Sequence, residues 1–256
     1  MLHADRARQI YQTDQLTVSE DSNSRWLHIA DESILSAIAL EQPELLVLPA
    51  TQMIMMALLF LAEPKKVLLL GLGGGDSLRF FRHHFPATQV TAVEVDAQMI
   101  QIAEQWFALP APGNGFTLVI DDARHFMAHS GNNVDMILLD ILVDSCMPEG
   151  LRDLEFFAAC ERNLSSPGVL AMNMVATNAD LLKEMLCNLQ KVFQAPVVAL
   201  PVADHQNVIL FVLRGSTLPF KHTCLSERAA WLQTRYLLPA VAALDSLCRT
   251  NSLLCE

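Results

Sequence analysis

From Val67 onward, short apolar runs rich in β-type residues alternate with stretches whose apolar positions recur every three or four residues, the pattern of a mostly parallel sheet covered by helices on both faces. The runs predict strands at Val67–Leu70, Val90–Val95, Phe116–Ile120, Met136–Asp140, Val169–Met174, Val197–Leu200 and Val208–Leu213. Helices are expected at Ser77–His83, Ala97–Phe107, Ala123–His129, Leu154–Asn163 and Ala179–Phe193. Only Pro201-Val-Ala-Asp-His-Gln-Asn207 separates the last two strands, too little chain for a crossover helix, so an antiparallel final hairpin is expected. Upstream, Tyr11–Val18 and Arg25–Ile29 alternate apolar and polar residues around Glu20-Asp-Ser-Asn-Ser24, which predicts a small antiparallel appendage. The chain from Ser36 to Pro49 reads as irregular, with helix from Thr51. The tail from Ser226 to Leu247 reads as amphipathic helix interrupted at Pro239. The expected fold is therefore α/β, a Rossmann-like seven-strand mostly parallel sheet with helices on both faces. Residues 1–49 supply the β appendage and connector, and residues 50–256 a nucleoside-binding domain with C-terminal helices.

Composition narrows the classes of partner. Of 256 residues, 52% are hydrophobic and 18% charged, so the chain reads as globular rather than disordered. Seventeen basic against 28 acidic side chains leave a formal charge of −11. That disfavours a nucleic acid backbone, whose binding needs clustered Lys and Arg, and suits a cationic small molecule. Six cysteines, at 146, 160, 187, 224, 248 and 255, form no C-x-x-C pair and have no His at zinc spacing. No metal is expected, and most of these thiols should be reduced. The longest apolar run, Met53–Ala62, is about half a membrane span. With no apolar signal core at the start of the chain, a cytoplasmic protein without membrane contact is the expectation.

The chemistry concentrates in Val67-Leu-Leu-Leu-Gly-Leu-Gly-Gly-Gly-Asp-Ser77. A buried strand runs into glycines that let the backbone turn and approach a ligand, with Asp76 and Ser77 placed to cap the following helix. Glu94 closes the next strand, 19 residues after Gly75, where a carboxylate meets ribose hydroxyls in such folds. Gly71, Gly73 and Gly75 with Glu94 thus predict an adenosine site. Asp76 displaces the third glycine of G-x-G-x-x-G and would repel a pyrophosphate at the helix N-terminus. A sulfonium nucleoside, positive and free of phosphate, is therefore expected ahead of NAD.

Ligands of open α/β sheets sit beyond the carboxyl ends of the strands. Those ends carry acids in series: Glu94, then Asp121-Asp122, then Asp140 with Asp144 close behind. Asp122 can accept a hydrogen bond from an adenine amino group while capping the helix that Ala123 begins.

These residues resemble the spermidine synthase (polyamine aminopropyltransferase) family, particularly its shorter bacterial spermidine synthase-like branch, on a class I S-adenosylmethionine-dependent methyltransferase-type fold. The resemblance runs from about Ile10 to Leu213. Its anchors are Ile10-Tyr-Gln12, the glycine loop with Leu78-Arg79, Val93-Glu-Val-Asp96, Asp121-Asp-Ala-Arg-His-Phe126, Asp135-Met-Ile-Leu-Leu-Asp140, and Phe156-Phe157 before Pro167-Gly-Val-Leu170. It implies a pocket for decarboxylated S-adenosylmethionine or methylthioadenosine, a polyamine channel beside it, and homodimers or higher oligomers; decarboxylated S-adenosylmethionine or S-adenosylmethionine is the expected co-substrate and a homodimer the expected assembly. Carried across, Gln12, Gly71, Gly73, Gly75, Glu94, Asp122 and Ala123 would bind the nucleoside, with Glu94 on the ribose and Asp122 on the adenine. Asp140 and Asp144 would be the catalytic carboxylates.

The chain departs from the family in four places. The strand-four loop of the family carries D-x-x-D, whereas here Val143 fills the second position and Asp144 follows it. The family's glycine-loop Asp is Gly74, its Tyr-His pair is Ala50-Thr51, and a glutamine near residue 35 is Ser or Leu. Three readings follow: aminopropyl transfer with an altered catalytic loop, another S-adenosyl chemistry such as methyl transfer, and a non-catalytic nucleoside-binding oligomeric scaffold.

Overall fold

The computed structural model describes residues 7–29, 33–131, 133–142, 146–175, 178–216, 218, 220–252 and 254. Four N-terminal strands, β1 (Arg8–Gln12), β2 (Leu16–Glu20), β3 (Ser24–Ile29) and β4 (Ser33–Ala39), pair antiparallel in sequence order. Two short helices follow, α1 (Pro49–Ile54) and α2 (Ala57–Phe60). The remainder alternates: β5 (Lys66–Leu70), α3 (Asp76–His84), β6 (Gln89–Glu94), α4 (Ala97–Trp106), β7 (Phe116–Ile120), α5 (Ala123–His129), β8 (Val134–Leu139), α6 (Leu154–Asn163), β9 (Leu164–Val175) and α7 (Ala179–Phe193). The hairpin β10 (Val197–Pro201) and β11 (Asn207–Arg214) and the helices α8 (His222–Tyr236) and α9 (Ala240–Thr250) complete it.

The large sheet has the order β10-β11-β9-β8-β5-β6-β7. Only β11 runs against its neighbours, pairing antiparallel with both β10 and β9, as the short connection between the last two strands requires. Val67 to Leu70 of β5 are buried, which is why that strand reads as a continuous apolar run. One face of the sheet packs on a core containing Ile54, Leu58, Phe81, Phe211 and Leu232, and the other on a core containing Met127, Phe157, Leu189 and Leu210. Helix starts follow the capping residues: Asp96 accepts from Gln98 N at 2.8 Å, Asp153 from Phe156 N at 2.8 Å and Asn178 from Leu181 N at 2.8 Å.

Two local expectations are corrected. The Tyr11–Val18 run is two strands, because Thr13 accepts from Leu16 N at 2.9 Å and turns the chain between β1 and β2. The supposedly irregular stretch after Ser36 opens with β4, whose Ser36, Ala37 and Ile38 are all buried. A strand buried on both faces shows no alternation, and a serine inside it breaks the apolar signal. Cys146, Cys160, Cys187 and Cys224 are free, whereas Cys248 is disulfide-bonded. Among the described residues no helix is long and apolar enough to cross a membrane.

At the end of α3, His84 packs its ring against Phe80 and Tyr236, with centroids 4.8 and 4.7 Å away. Burial, reinforced by the His83 and Arg235 charges and opposed by Glu44, lowers its pKa to about 4 from 6.5. The folded state thus prefers the neutral ring. The unfolded chain takes up the proton first as pH falls, so this contribution is present above pH 6.5 and is lost between 6.5 and about 4. His84→Phe should therefore gain on the wild type in urea-unfolding free energy on moving from pH 7 to pH 4.5. An equal difference at both pH values would refute the buried neutral ring.

Candidate functional site

The parallel strands end on one edge of the sheet, and the strand order reverses between β5 and β8, the place where open α/β sheets take ligands in a crevice. Asp140 N donates to Leu70 O at 2.9 Å and Gly71 N to Val93 O at 3.0 Å, which fixes the loop to the strands on either side. Gly71 has φ +93°, and a Cβ there would overlap the Asp140 carbonyl, so only glycine is admitted. Gly73 and Gly75 also have positive φ, and Gly75 is the N-cap of α3. At Gly74 a Cβ would overlap Ser36 Oγ, so the small sheet itself closes the space a side chain there would need.

Asp76 does not do what the sequence suggested. It makes no cap, and its carboxylate turns inward to Arg79 Nη2 at 2.5 Å, Ser36 Oγ at 2.7 Å and Ala37 N at 3.3 Å. Its charge is paired with Arg79, which limits any repulsion of a pyrophosphate at the start of α3. Arg79, 5% exposed, also donates to Pro43 O at 2.8 Å, Phe107 O at 2.7 Å and the Gly74 carbonyl.

Glu94, half-buried at the end of β6, accepts from Leu72 N and from Asp96 N, each at 3.0 Å. It braces the glycine loop as well as facing the crevice edge. Asp122 caps α5, its Oδ1 accepting from His125 N at 3.0 Å. Ala123 buries its methyl in the second core, leaving its backbone N–H at the first helical position, ahead of the intrahelical bonds. Beside them, the hydrogen bond from His125 holds the Asp121 carboxyl below its ordinary range. Gln12 lies in β1, exposed and accepting from Gln9 Nε2 at 2.7 Å.

Asp140 follows the last residue of β8. Burial pushes its carboxyl up, a hydrogen bond from Asn173 at 2.8 Å opposes that, and the Asp76 charge adds to the rise. Val143 and Asp144 lie outside the described residues. Asp135, at the other end of β8, accepts from Lys65 N and Lys66 N at 2.7 and 2.9 Å and pins the start of β5. Among the described residues no group of three or more His, Cys, Asp or Glu is arranged to hold a metal.

Several residues at or near this edge carry no motif signal. Ser36 and Asn173 are buried polar residues flanked by apolar neighbours in their strands, a signal that marks a buried hydrogen bond. Val95 and Ile120, each 64% exposed, leave apolar surface beside Glu94 and Asp121 on neighbouring strands.

Residues 49–221 match the spermine/spermidine synthase domain. The chain belongs to that family. A polyamine aminopropyltransferase of Chromobacterium violaceum is 32% identical over 237 residues, covering 93% of this chain and 90% of the relative. A probable spermidine synthase of Corynebacterium glutamicum shares the fold with a TM-score of 0.72 at 21% identity, over 91% of this chain and 93% of that one. Human methyltransferase-like protein 13, solved in complex with SAH, aligns with a TM-score of 0.63 at 26% identity, over 73% of this chain and 88% of that one. On this spermidine synthase fold the glycine loop and the strand-end acids share one edge of the sheet, with Asp76 turned inward and position 74 closed by Ser36.

Removing one member of the buried Asp76–Arg79 pair leaves the other uncompensated. Arg79→Leu should lower the unfolding free energy by about 3–5 kcal/mol, read from the urea midpoint at constant m-value. A loss below about 1 kcal/mol would show the pair to be solvated in solution.

Proposed function

We propose that this chain is an aminopropyltransferase with an altered catalytic loop, moving an aminopropyl group from decarboxylated S-adenosylmethionine to an amine acceptor. The observation that carries the reading is the row of strand-end carboxylates, Glu94, Asp122 and Asp140, on a chain that aligns with a polyamine aminopropyltransferase over nearly its whole length. The crevice suits an adenosine ligand by its chemistry. Glu94 can take ribose hydroxyls, Asp122 has its second oxygen for an exocyclic amine, and Val95 and Ile120 offer apolar surface for a purine face. The relation to a methyltransferase-like protein solved with SAH supports an S-adenosyl ligand.

In the proposed reaction the amine lone pair forms a new C–N bond as the C–S bond breaks, its electrons remain on sulfur, and methylthioadenosine leaves. The surplus proton passes from nitrogen to a carboxylate, and the positive amine needs acids to orient it. Asp140 is the residue proposed for both tasks, with Asp144 as a second carboxylate and Gln12 as a nucleoside contact. Asp140 must be ionised to accept a proton. Because burial raises it above the ordinary 3.8, transfer should fail on the acid side at a pH above that value.

Methylthioadenosine at 100 times its dissociation constant should stabilise the protein by about 2.7 kcal/mol, roughly 5 to 11 °C in melting temperature. A thermal-shift series with methylthioadenosine, intact S-adenosylmethionine and NAD checks this, and a larger shift with NAD would overturn the ligand assignment.

Turnover with decarboxylated S-adenosylmethionine and a diamine tests the chemistry. Asp140→Asn should reduce it by about 100-fold to 10,000-fold, and Val143→Asp should raise it by restoring the family spacing. If neither the wild type nor Val143→Asp transfers while methylthioadenosine still binds, the scaffold reading replaces this one.

A further inference from the structure

Asn173 is a polar residue in the buried C-terminal part of β9. It is 4% exposed, and its neighbours Met172 and Met174 are buried with it. An amide in such a place costs stability unless both its ends are bonded. Both ends are. Nδ2 donates to Asp140 Oδ1 at 2.8 Å, and Oδ1 accepts from Asn207 Nδ2 at 2.9 Å.

The geometry follows from the sheet register. Ile209 stands opposite Asn173 and Asn207 opposite Val175, so Asn173 and Asn207 are diagonal neighbours on one face of the antiparallel β9–β11 pair. On the other side β9 runs parallel to β8, where Leu139 pairs with Met172 and brings the strand ends together. The reversed strand thereby delivers an amide two strands away from the carboxylate. Only one orientation of Asn173 satisfies both neighbours. Turned over, its oxygen would face the Asp140 carboxylate and its donors would face the Asn207 donor.

We infer that Asn173 and Asn207 are positioning residues, a two-amide brace that fixes Asp140 Oδ1 against β9 and leaves Oδ2 as the oxygen open to substrate. The inference rests on the proposed role of Asp140 and names residues that act through it. Two further groups bear on that carboxylate. Asp76 of α3 adds negative charge across the glycine loop, and Arg79 pairs with Asp76 and limits that effect. Among the described residues of β9 and β11, Asn173 donates to Asp140 and Asn207 to Asn173, and the Asn173 bond favours the ionised form.

The test reads Asp140 directly. In the full chain carrying carboxyl-13C aspartate, the Asp140 resonance is the one lost in Asp140→Asn. Asn173→Leu should raise its titration midpoint by about one pH unit, because the carboxylate loses a donor. Asn207→Ser should move it the same way by less, and Asn173→Ser, which keeps a hydroxyl donor, should return it toward the wild-type value. At a pH below both midpoints, kcat/KM for the amine should fall about tenfold in Asn173→Leu, in step with the ionised fraction. Asn207→Ser lies at the start of β11 and gives the answer if Asn173→Leu does not fold. An unmoved midpoint in the folded variants overturns the brace. A moved midpoint with unchanged or absent transfer upholds the brace and defeats the assignment of Asp140 as the proton acceptor.

Discussion

The buried ion pair between Asp76 and Arg79 is the constraint on which the rest of the site depends. Two charges withdrawn from water are tolerable only when their remaining bonding capacity is filled, and here it is filled from three directions. The carboxylate takes Ser36 and Ala37 of the small sheet, and the guanidinium takes the carbonyls of Pro43, Gly74 and Phe107. The same two side chains therefore clamp the N-terminal sheet, the connector, the glycine loop and the end of α4 to one point. A loop with three positive-φ glycines would otherwise pay a large conformational entropy for adopting one shape.

The clamp also holds the glycine loop tight against the small sheet. Ser36 donates to Asp76 and at the same time fills the volume a side chain at position 74 would need. The Asp76 carboxylate is thereby directed into the protein. The loop is still negatively bordered by Glu94 and Asp140, but the charge nearest the start of α3 is spent internally.

The repeated β-α units, the final hairpin and the line of strand-end acids were legible in the sequence because each rests on local signals: apolar period, connection length and capping residues. The helices Ala123–His129, Leu154–Asn163 and Ala179–Phe193 lie where their periodicity places them, each begun by Asp or Asn. What was not legible depends on contacts between distant segments. β4 shows no alternation because the glycine loop covers one of its faces. Asp76 carries the residue type of a cap, yet its fate was decided by Ser36, 40 residues away. Asn173 and Asn207 become partners only through a sheet register that no local window contains.

The order of strands has a kinetic consequence. β5 pairs on one side with β6, and Val67 meets Val90 after a short excursion of chain, but on the other side Val67 meets Met136, so the second pairing must close a far longer loop. Closure entropy grows slowly with length, yet it must be met before the contacts that reward it exist. The strand-end edge that carries Glu94 and Asp140 is complete only when both pairings have formed. It therefore exists only in molecules that have finished the long closure, so any ligand held there would select fully assembled chains over partly folded ones.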